Sequence, residues 1–418
     1  MVQLKNDCFA DAGGLLSLGA ALLRIAERVS PIAETEEVPL REALHRISAA
    51  DLISQRNVPP HDNTAVDGYA VYFDDLNPHG DSRLPVTGRV AAGHPLDRPA
   101  RRGEAIRVFT GAPMPPGLDT VFMEEDCRPE AAQVVLPKGI NRGDNRRLAG
   151  EDVRAGTVIV PAGRLLRAQE LGLAASVGMT RIPVYRRLSV AVFSTGDEVC
   201  NPGDDVAPGR IFDANRFTLM GLAESLGCRV TDLGILPDRP QAVARSLLAA
   251  AKKYDVLLTS GGVSGGEEDH VARVVGEKGS LHFWRLAVKP GRPVALGQIG
   301  AAAFIGLPGN PVAAMVTFLR VARPLLLRLA GRTDLEPMLF AVRAGFSFRK
   351  KEGRREWLRV RLDRTAGGQP VAHKCAVDGA GVLSSMVAAD GLIELAEEVT
   401  QLNEGMLVDF LPFNEVMH

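Results

Sequence analysis

The chain has 418 residues, and at roughly 100–200 residues per domain that length predicts two to four domains rather than one. Apolar residues at 46% and charged residues at 24% allow each domain a buried core and exclude wholesale disorder, so a folded soluble protein is expected. Lys and Arg number 49 against 50 Asp and Glu, so no global field draws the chain to nucleic acid or an anionic membrane, and any bound anion must be gripped locally.

The stretch from Gly13 to Val29 carries Leu15, Leu18, Leu22, Ile25 and Val29 at spacings of three or four, as an amphipathic helix requires. Asp7 and Asp11 precede it and Arg24, Glu27 and Arg28 interrupt it, which argues against a secretory segment. No run reaches the ~18 apolar residues of a membrane span. A second short helix is expected around Leu40–Ala50. From Leu52 to about Leu148 the sequence is dense in Pro and Gly with short alternating runs, as in a small β domain. Residues 151–183 return to a strand, a helix from about Ala168 and a β segment, which makes the β part an insertion into the first helical region. Between Leu188 and Ala330 the runs LSVAVF, DVLLT, PVALG and AAFIGL alternate with amphipathic stretches, predicting a parallel sheet wrapped by helices. One helix is expected from Asn215 to Gly227. Another starts near Pro240, with Val243, Leu247, Leu248 and Ala251 on one face. The last 80 or so residues read as β again. The five cysteines, Cys8, Cys127, Cys200, Cys228 and Cys375, form no CxxC pair, which fits a reducing cytoplasm rather than a disulfide framework or a zinc site.

In open parallel sheets ligands sit outside the carboxyl ends of the strands, so the loops there are the first place to seek chemistry. FSTGDE brings Ser194, Thr195 and Gly196 for close backbone approach, followed by Asp197 and Glu198; the bland alternative is an acidic turn. From Ser260 to Glu267, four glycines and two serines in eight positions, among them Ser260, Gly261, Gly262 and Ser264, suit a nest of amides for phosphate at a helix start. The run matches neither GxxxxGKS nor GxGxxG, and its alternative is a flexible linker. GLPGNPVAA holds Gly309 and Asn310 between Pro308 and Pro311 in a stiff turn. FWRLAVKPGRP supplies Arg285, Lys289 and Arg292 as cations for an anionic ligand. Asp238, Asp269 and Glu198 add carboxylates to the same rim. Carboxylates beside phosphate call for a bridging divalent cation, and hard oxygen ligands suit Mg²⁺. Two further polar turns, one with His61, Asp62, Asn63, Thr64 and Asp67 and one with Thr110, lie outside the α/β region. They reach its ligand only across a cleft, from another domain or a partner subunit. His61 has no second His or Cys at ligand spacing.

Taken in order, DNTAVDGYA, RVFTGAPMPPGLDTVFMEED, AGEDVRAG, VAVFSTGDE, GRIFDANRFTL, LGILPD, TSGGVSGGEEDH, FWRLAVKPGRP and GLPGNPV resemble the MoeA-type molybdopterin molybdenumtransferase family, related to the E domain of gephyrin. The resemblance covers nearly the whole chain. It implies a helical linking region at 1–50 and 146–186, an inserted β domain at 51–145, an α/β molybdopterin-binding domain at 187–332 and a C-terminal β-barrel-like domain at 333–418. It further implies an elongated cytoplasmic homodimer, with an active site shared between subunits, and a molybdopterin-adenylylating partner protein. The implied activity is insertion of molybdate into the dithiolene of adenylylated molybdopterin, with Mg²⁺-dependent cleavage of the pyrophosphate link and release of AMP. By motif the essential acids fall on Asp67, Asp152, Glu198, Asp238 and Asp269. Other site positions fall on Thr110, Arg147, Lys289, Pro308 and Pro311, with a serine at Ser384 or Ser385.

The Gly-rich loop departs from the family's frequent VSVGEADY by Gly265 and His270, and KPGRP stands for KPGKP. None of these changes removes a proposed acid. Two other readings compete: a noncatalytic molybdopterin-binding scaffold, since the eukaryotic relative also clusters receptors, and an enzyme acting on another nucleotide pyrophosphate.

Overall fold

A computed structural model describes residues 14–262, 269–363 and 368–417 of the chain. Ser264 and Gly265 therefore lie outside the described residues. The first helix, Leu18–Arg28, starts at Ser17, whose hydroxyl accepts from the Ala20 amide, and buries Leu18, Leu22 and Ile25; Leu15 is exposed ahead of it. The expected second helix is absent apart from one 3-10 turn at Leu40–Glu42. His45 adopts φ +58, a left-handed conformation that ends any helix, and Thr35–Pro39 is instead a strand paired antiparallel to Arg181–Tyr185. That partner lies far along the chain, so local periodicity does not reveal it.

Between these two paired strands, a six-stranded sheet takes the order Thr120–Met123, Gly68–Val71, Ala105–Val108, Ser82–Val90, Gln133–Leu136, Arg128–Glu130. It has its own cores, one around Ile106, Val108 and Val121 and another around Phe122, Val134 and Leu136.

The central sheet has six strands in the order Arg229–Leu236, Ser189–Thr195, Val256–Ser260, Ala302–Leu307, Pro293–Ile299, Ser280–Arg285. The first four run parallel; Ser189–Thr195, Val256–Ser260 and Ala302–Leu307 are buried almost throughout, as strands covered on both faces are, whereas Arg229–Leu236 at the edge is largely half-buried. Pro293–Ile299 runs antiparallel, because it meets Ala302–Leu307 through a two-residue turn in which Gly300 has φ +61. No parallel crossover fits so short a link. Helix Ala214–Ser225 ends near Gly227, at φ +79. Helix Pro240–Ala250 buries Val243, Leu247 and Ala250, whereas Leu248 is 38% exposed rather than on the inner face.

In the last quarter of the chain Arg355–Asp363 pairs with Val371–Lys374 and Gly391–Leu395, Gly391–Leu395 with Leu407–Pro412, and Leu407–Pro412 with Phe340–Ala344. Phe340–Ala344 returns to Val371–Lys374 and closes a five-strand barrel. One continuous apolar core joins the first helix, the central sheet, the 311–329 helical segment and the barrel residues Trp357, Leu392 and Leu411. The barrel is thus seated on the sheet by burial, and the cleft between them is part of the same packing unit.

Candidate active site

The four parallel strands end side by side, so the segments that follow them share one rim. A cavity of about 650 Å³ opens there. Ser194, Thr195, Gly196 and Glu198 line it from the first strand and Asp238 from the strand ending at Leu236. Ser260, Gly261 and Gly262 come from the third, and Gly309 and Pro311 from the fourth. Asp269, the N-cap residue of helix His270–Lys278, completes the acidic wall together with His270. The three predicted acids are therefore brought to one cavity.

Two glycines make this wall possible. Gly196 sits at φ +124, and a Cβ there would come within 2.5 Å of the Glu198 carboxylate, which folds back over it. Gly262, at φ +63, lets the chain pass Thr195, whose hydroxyl would lie 2.8 Å from an added Cβ. Of the expected amide nest, only Ser260, Gly261 and Gly262 fall within the described residues. Gly261 N–H donates to the Leu307 carbonyl at 3.0 Å, so this amide is spent on holding two loops together.

The acid wall is electrostatically loaded. Burial first, and then the negative charges of Asp197, Glu198 and Asp269, push the Asp238 carboxyl above the usual carboxylate range, while His270 opposes them. Among the described residues no group of three or more His, Cys, Asp or Glu side chains forms a ready-made metal site. Glu198, Asp238 and Asp269 are thus neighbours rather than a preassembled triad. That arrangement still suits Mg²⁺, which keeps several waters and takes one or two carboxylates, with substrate phosphate oxygens filling other positions.

A second cavity of about 510 Å³ meets the first at Gly261, Gly262 and Gly309. Its lining is apolar at Leu307, Val312, Val316 and Leu392 and carries the cations Lys289, Arg292 and Arg359 together with the acids Glu356 and Asp378. Pro308 and Asn310 line it from the stiff turn, and Trp357 and Phe348 from the barrel side. Arg285 lines neither cavity; its carbonyl accepts from the Leu16 amide at the end of the edge strand. Ser384 and Ser385 also line neither, and the Ser385 hydroxyl donates to the Val382 carbonyl at 2.5 Å.

The other predicted residues gather elsewhere. Asp67 accepts from both the amide and the hydroxyl of Thr110, each at 2.7 Å, and the amide bond above all holds its carboxyl below the usual range. Arg147 lies in the strand Arg146–Arg147, paired with Asn63–Thr64, and the Asp152 amide donates to Val58. All four residues are exposed, and none of them lines either cavity.

Several contributors escaped sequence reasoning. Asn215 donates to the Gly309 carbonyl at 2.6 Å and ties the helix start to the Pro308–Pro311 turn. Ile211 and Phe212, 61% and 49% exposed, line the acidic cavity from a short ribbon paired with Val199–Cys200. Glu356 and Arg359 enter from the barrel. The available signal was their type: charged residues interleaved with the apolar ones of REWLRVRLD, and the polar Asp213 and Asn215 where a strand meets a helix.

Fold and site together define a multidomain α/β protein whose polar cleft lies at the carboxyl edge of a parallel sheet, flanked by a closed barrel. Three family models match it in sequence order: MoeA N-terminal region (domain I and II) over residues 16–178, probable molybdopterin binding domain over 191–328, and MoeA C-terminal region (domain IV) over 341–413. The chain is 37% identical over 96% of its length to a molybdopterin molybdenumtransferase of Haemophilus influenzae, covering 100% of that protein. Two crystal structures of molybdopterin biosynthesis MoeA protein from Pyrococcus horikoshii are also similar. One has a TM-score of 0.74 at 32% identity, covering 96% of this chain and 99% of that one. The other has a TM-score of 0.80 at 26% identity, covering 95% and 99%. The chain belongs to the MoeA family.

Proposed function

We propose that this chain is a molybdopterin molybdenumtransferase, which inserts molybdate into the dithiolene of adenylylated molybdopterin and releases AMP. The observation that carries this reading is the pair of cavities joined at Gly261, Gly262 and Gly309, one walled by acids and the other carrying Lys289, Arg292 and Arg359. A guest with a pyrophosphate link and a metal-accepting head is long enough, and differentiated enough in charge, to need both. Membership of the MoeA family supports the same choice over an unrelated pyrophosphate enzyme.

In this scheme Glu198, Asp238 and Asp269 face the pyrophosphate, and two of them would hold Mg²⁺. Bound there, Mg²⁺ would neutralise the phosphate oxygens and ease departure of AMP. Gly196 and Gly262 let the backbone approach the phosphates closely. Lys289 and Arg292 attract molybdate, a small oxyanion, to the neighbouring cavity. The carboxylates exclude anions from the acidic cavity unless a cation accompanies them, which orders binding. The working division is the one implied by motif: 187–332 holds the pterin nucleotide, 333–418 caps it, 51–145 is an inserted domain and 1–50 with 146–186 links them.

Asp67, Thr110, Arg147 and Asp152 line neither cavity of their own chain. They enter this chemistry as an arm from a second copy, in a homodimer with shared sites. Delivery of substrate falls to a molybdopterin-adenylylating protein, and the setting is the cytoplasm. No described helix is long and apolar enough to cross a membrane.

The test is AMP release from adenylylated molybdopterin with molybdate and Mg²⁺ added or omitted. Both additions should be required, and Asp269→Asn should reduce turnover by at least about 100-fold with far-ultraviolet circular dichroism unchanged. Tight pterin binding without turnover would favour a scaffold. Equal release of AMP from unrelated pyrophosphates would favour a general hydrolase.

A further inference from the structure

Glu356 is 1% exposed in its side chain, yet it lines the cavity that also carries Lys289 and Arg292. It receives Lys289 Nζ at 3.2 Å and Arg354 Nε at 2.8 Å, one on each carboxylate oxygen. Lys289 belongs to the segment leaving the sheet, whereas Glu356 belongs to the barrel. Their backbones are joined as well: Val288–Lys289 pairs in parallel with Arg355–Glu356, and the Arg355 amide donates to the Ala287 carbonyl at 2.8 Å. The Lys289 side chain remains 54% exposed and lines the cavity while its ammonium donates to Glu356.

Even a paired buried carboxylate is often no more stabilising than an apolar side chain of similar volume, so packing alone does not account for Glu356 at this position. A lysine on a flexible four-carbon stem, by contrast, loses rotamer freedom when it must act at one point. A fixed buried partner supplies that ordering before substrate arrives. Resting on the reading above, we infer that Glu356 is a positioning residue for molybdate insertion: it holds the Lys289 ammonium at the seam between sheet and barrel, aimed into the oxyanion cavity. Arg354 completes the charge balance of the carboxylate and takes no part in aiming. The barrel then contributes to the reaction through one salt bridge, and its seating on the sheet sets where the ammonium points.

The test is a double-mutant cycle on molybdate-dependent AMP release by the full chain. Glu356→Gln preserves shape and removes the charge. It should lower kcat/KM for molybdate by about tenfold, with a raised KM carrying most of the loss, and Lys289→Met should lower it further. The double variant should be no worse than Lys289→Met alone. Arg354→Gln, which strips the other partner from the same carboxylate, should shift the melting midpoint as much as Glu356→Gln does but leave kcat/KM within about twofold of wild type. Additive losses in the cycle, or an equal activity loss in Arg354→Gln, would overturn the assignment and leave Glu356 a structural residue. If Glu356→Gln does not accumulate folded, Glu356→Asp carries the same cycle, since its carboxylate is withdrawn by one methylene while its charge remains. Absence of molybdate-dependent turnover in the wild type would instead count against the proposed reaction itself.

Discussion

Asp238 is a residue whose ionised form the fold disfavours. Its folded pKa is raised, so its favourable contribution to stability belongs to the protonated form, is complete below the usual carboxylate range and is lost as pH rises through the raised value. At neutral pH the ionised group faces Asp197, Glu198 and Asp269, which repel it. Asp238→Asn should therefore raise the melting midpoint by about 1–2 °C at neutral pH, an advantage that disappears in acid, while turnover falls at least about tenfold. Melts of both proteins across pH, run beside the AMP assay, check the sign. A lower midpoint for Asp238→Asn at neutral pH would show that the carboxylate is compensated after all. The same protonation competes with a cation, so Mg²⁺ affinity should begin to weaken at a pH above that expected of an ordinary carboxylate.

At the scale of the element, the segment from Val199 to Ser225 is held by one buried arginine. Arg216 bonds Asp213 at 2.8 Å, both oxygens of Asp232 at 2.6 and 2.7 Å, and Asn201 at 2.6 Å. Its side chain is 4% exposed and that of Asp213 3%. Asp213 also caps the helix by accepting from the Arg216 amide, which sets Asn215 against Gly309 at the cavity rim. Arg216→Met leaves two carboxylates without their partner and should cost about 3–5 kcal/mol in urea unfolding. It should also weaken binding of the proposed nucleotide substrate, although Arg216 itself lines neither cavity. A loss under about 1 kcal/mol would mean that water replaces the guanidinium with little penalty.

For the whole molecule, the question is whether the site is built by one chain or two. One apolar core unites sheet and barrel, so both walls of their cleft come from one chain, whereas Asp67 and Thr110 lie in a region with separate cores. If sites are shared between copies, Asp67→Asn and Asp269→Asn each disable both sites of a uniform dimer, but a mixed dimer keeps one site with neither change. Mixing the two inactive proteins under conditions of subunit exchange should restore about a quarter of wild-type turnover. Failure to complement, with exchange verified by mass, would place all the essential groups within one chain.

Much of this protein could be read from residue order alone. The helix at Leu18–Arg28, the parallel strands of the central sheet and the acids at their ends follow from periodicity and from loop composition, because these signals act over a few neighbouring residues. The strand at Thr35–Pro39 did not, since its partner is Arg181–Tyr185, and local propensity cannot register a pairing made across an insertion. Gly261 seemed an anion donor by composition, but its amide is committed to Leu307, a choice made by the approach of two strands. Glu356 illustrates the same limit most clearly: a charged residue in a strand looks solvent-facing until barrel closure buries it beside Lys289. Sequence determined which chemical groups were available and the order in which they occur. Tertiary structure decided which of them meet, because burial, register and the cost of unpaired charge depend on neighbours brought together only by folding.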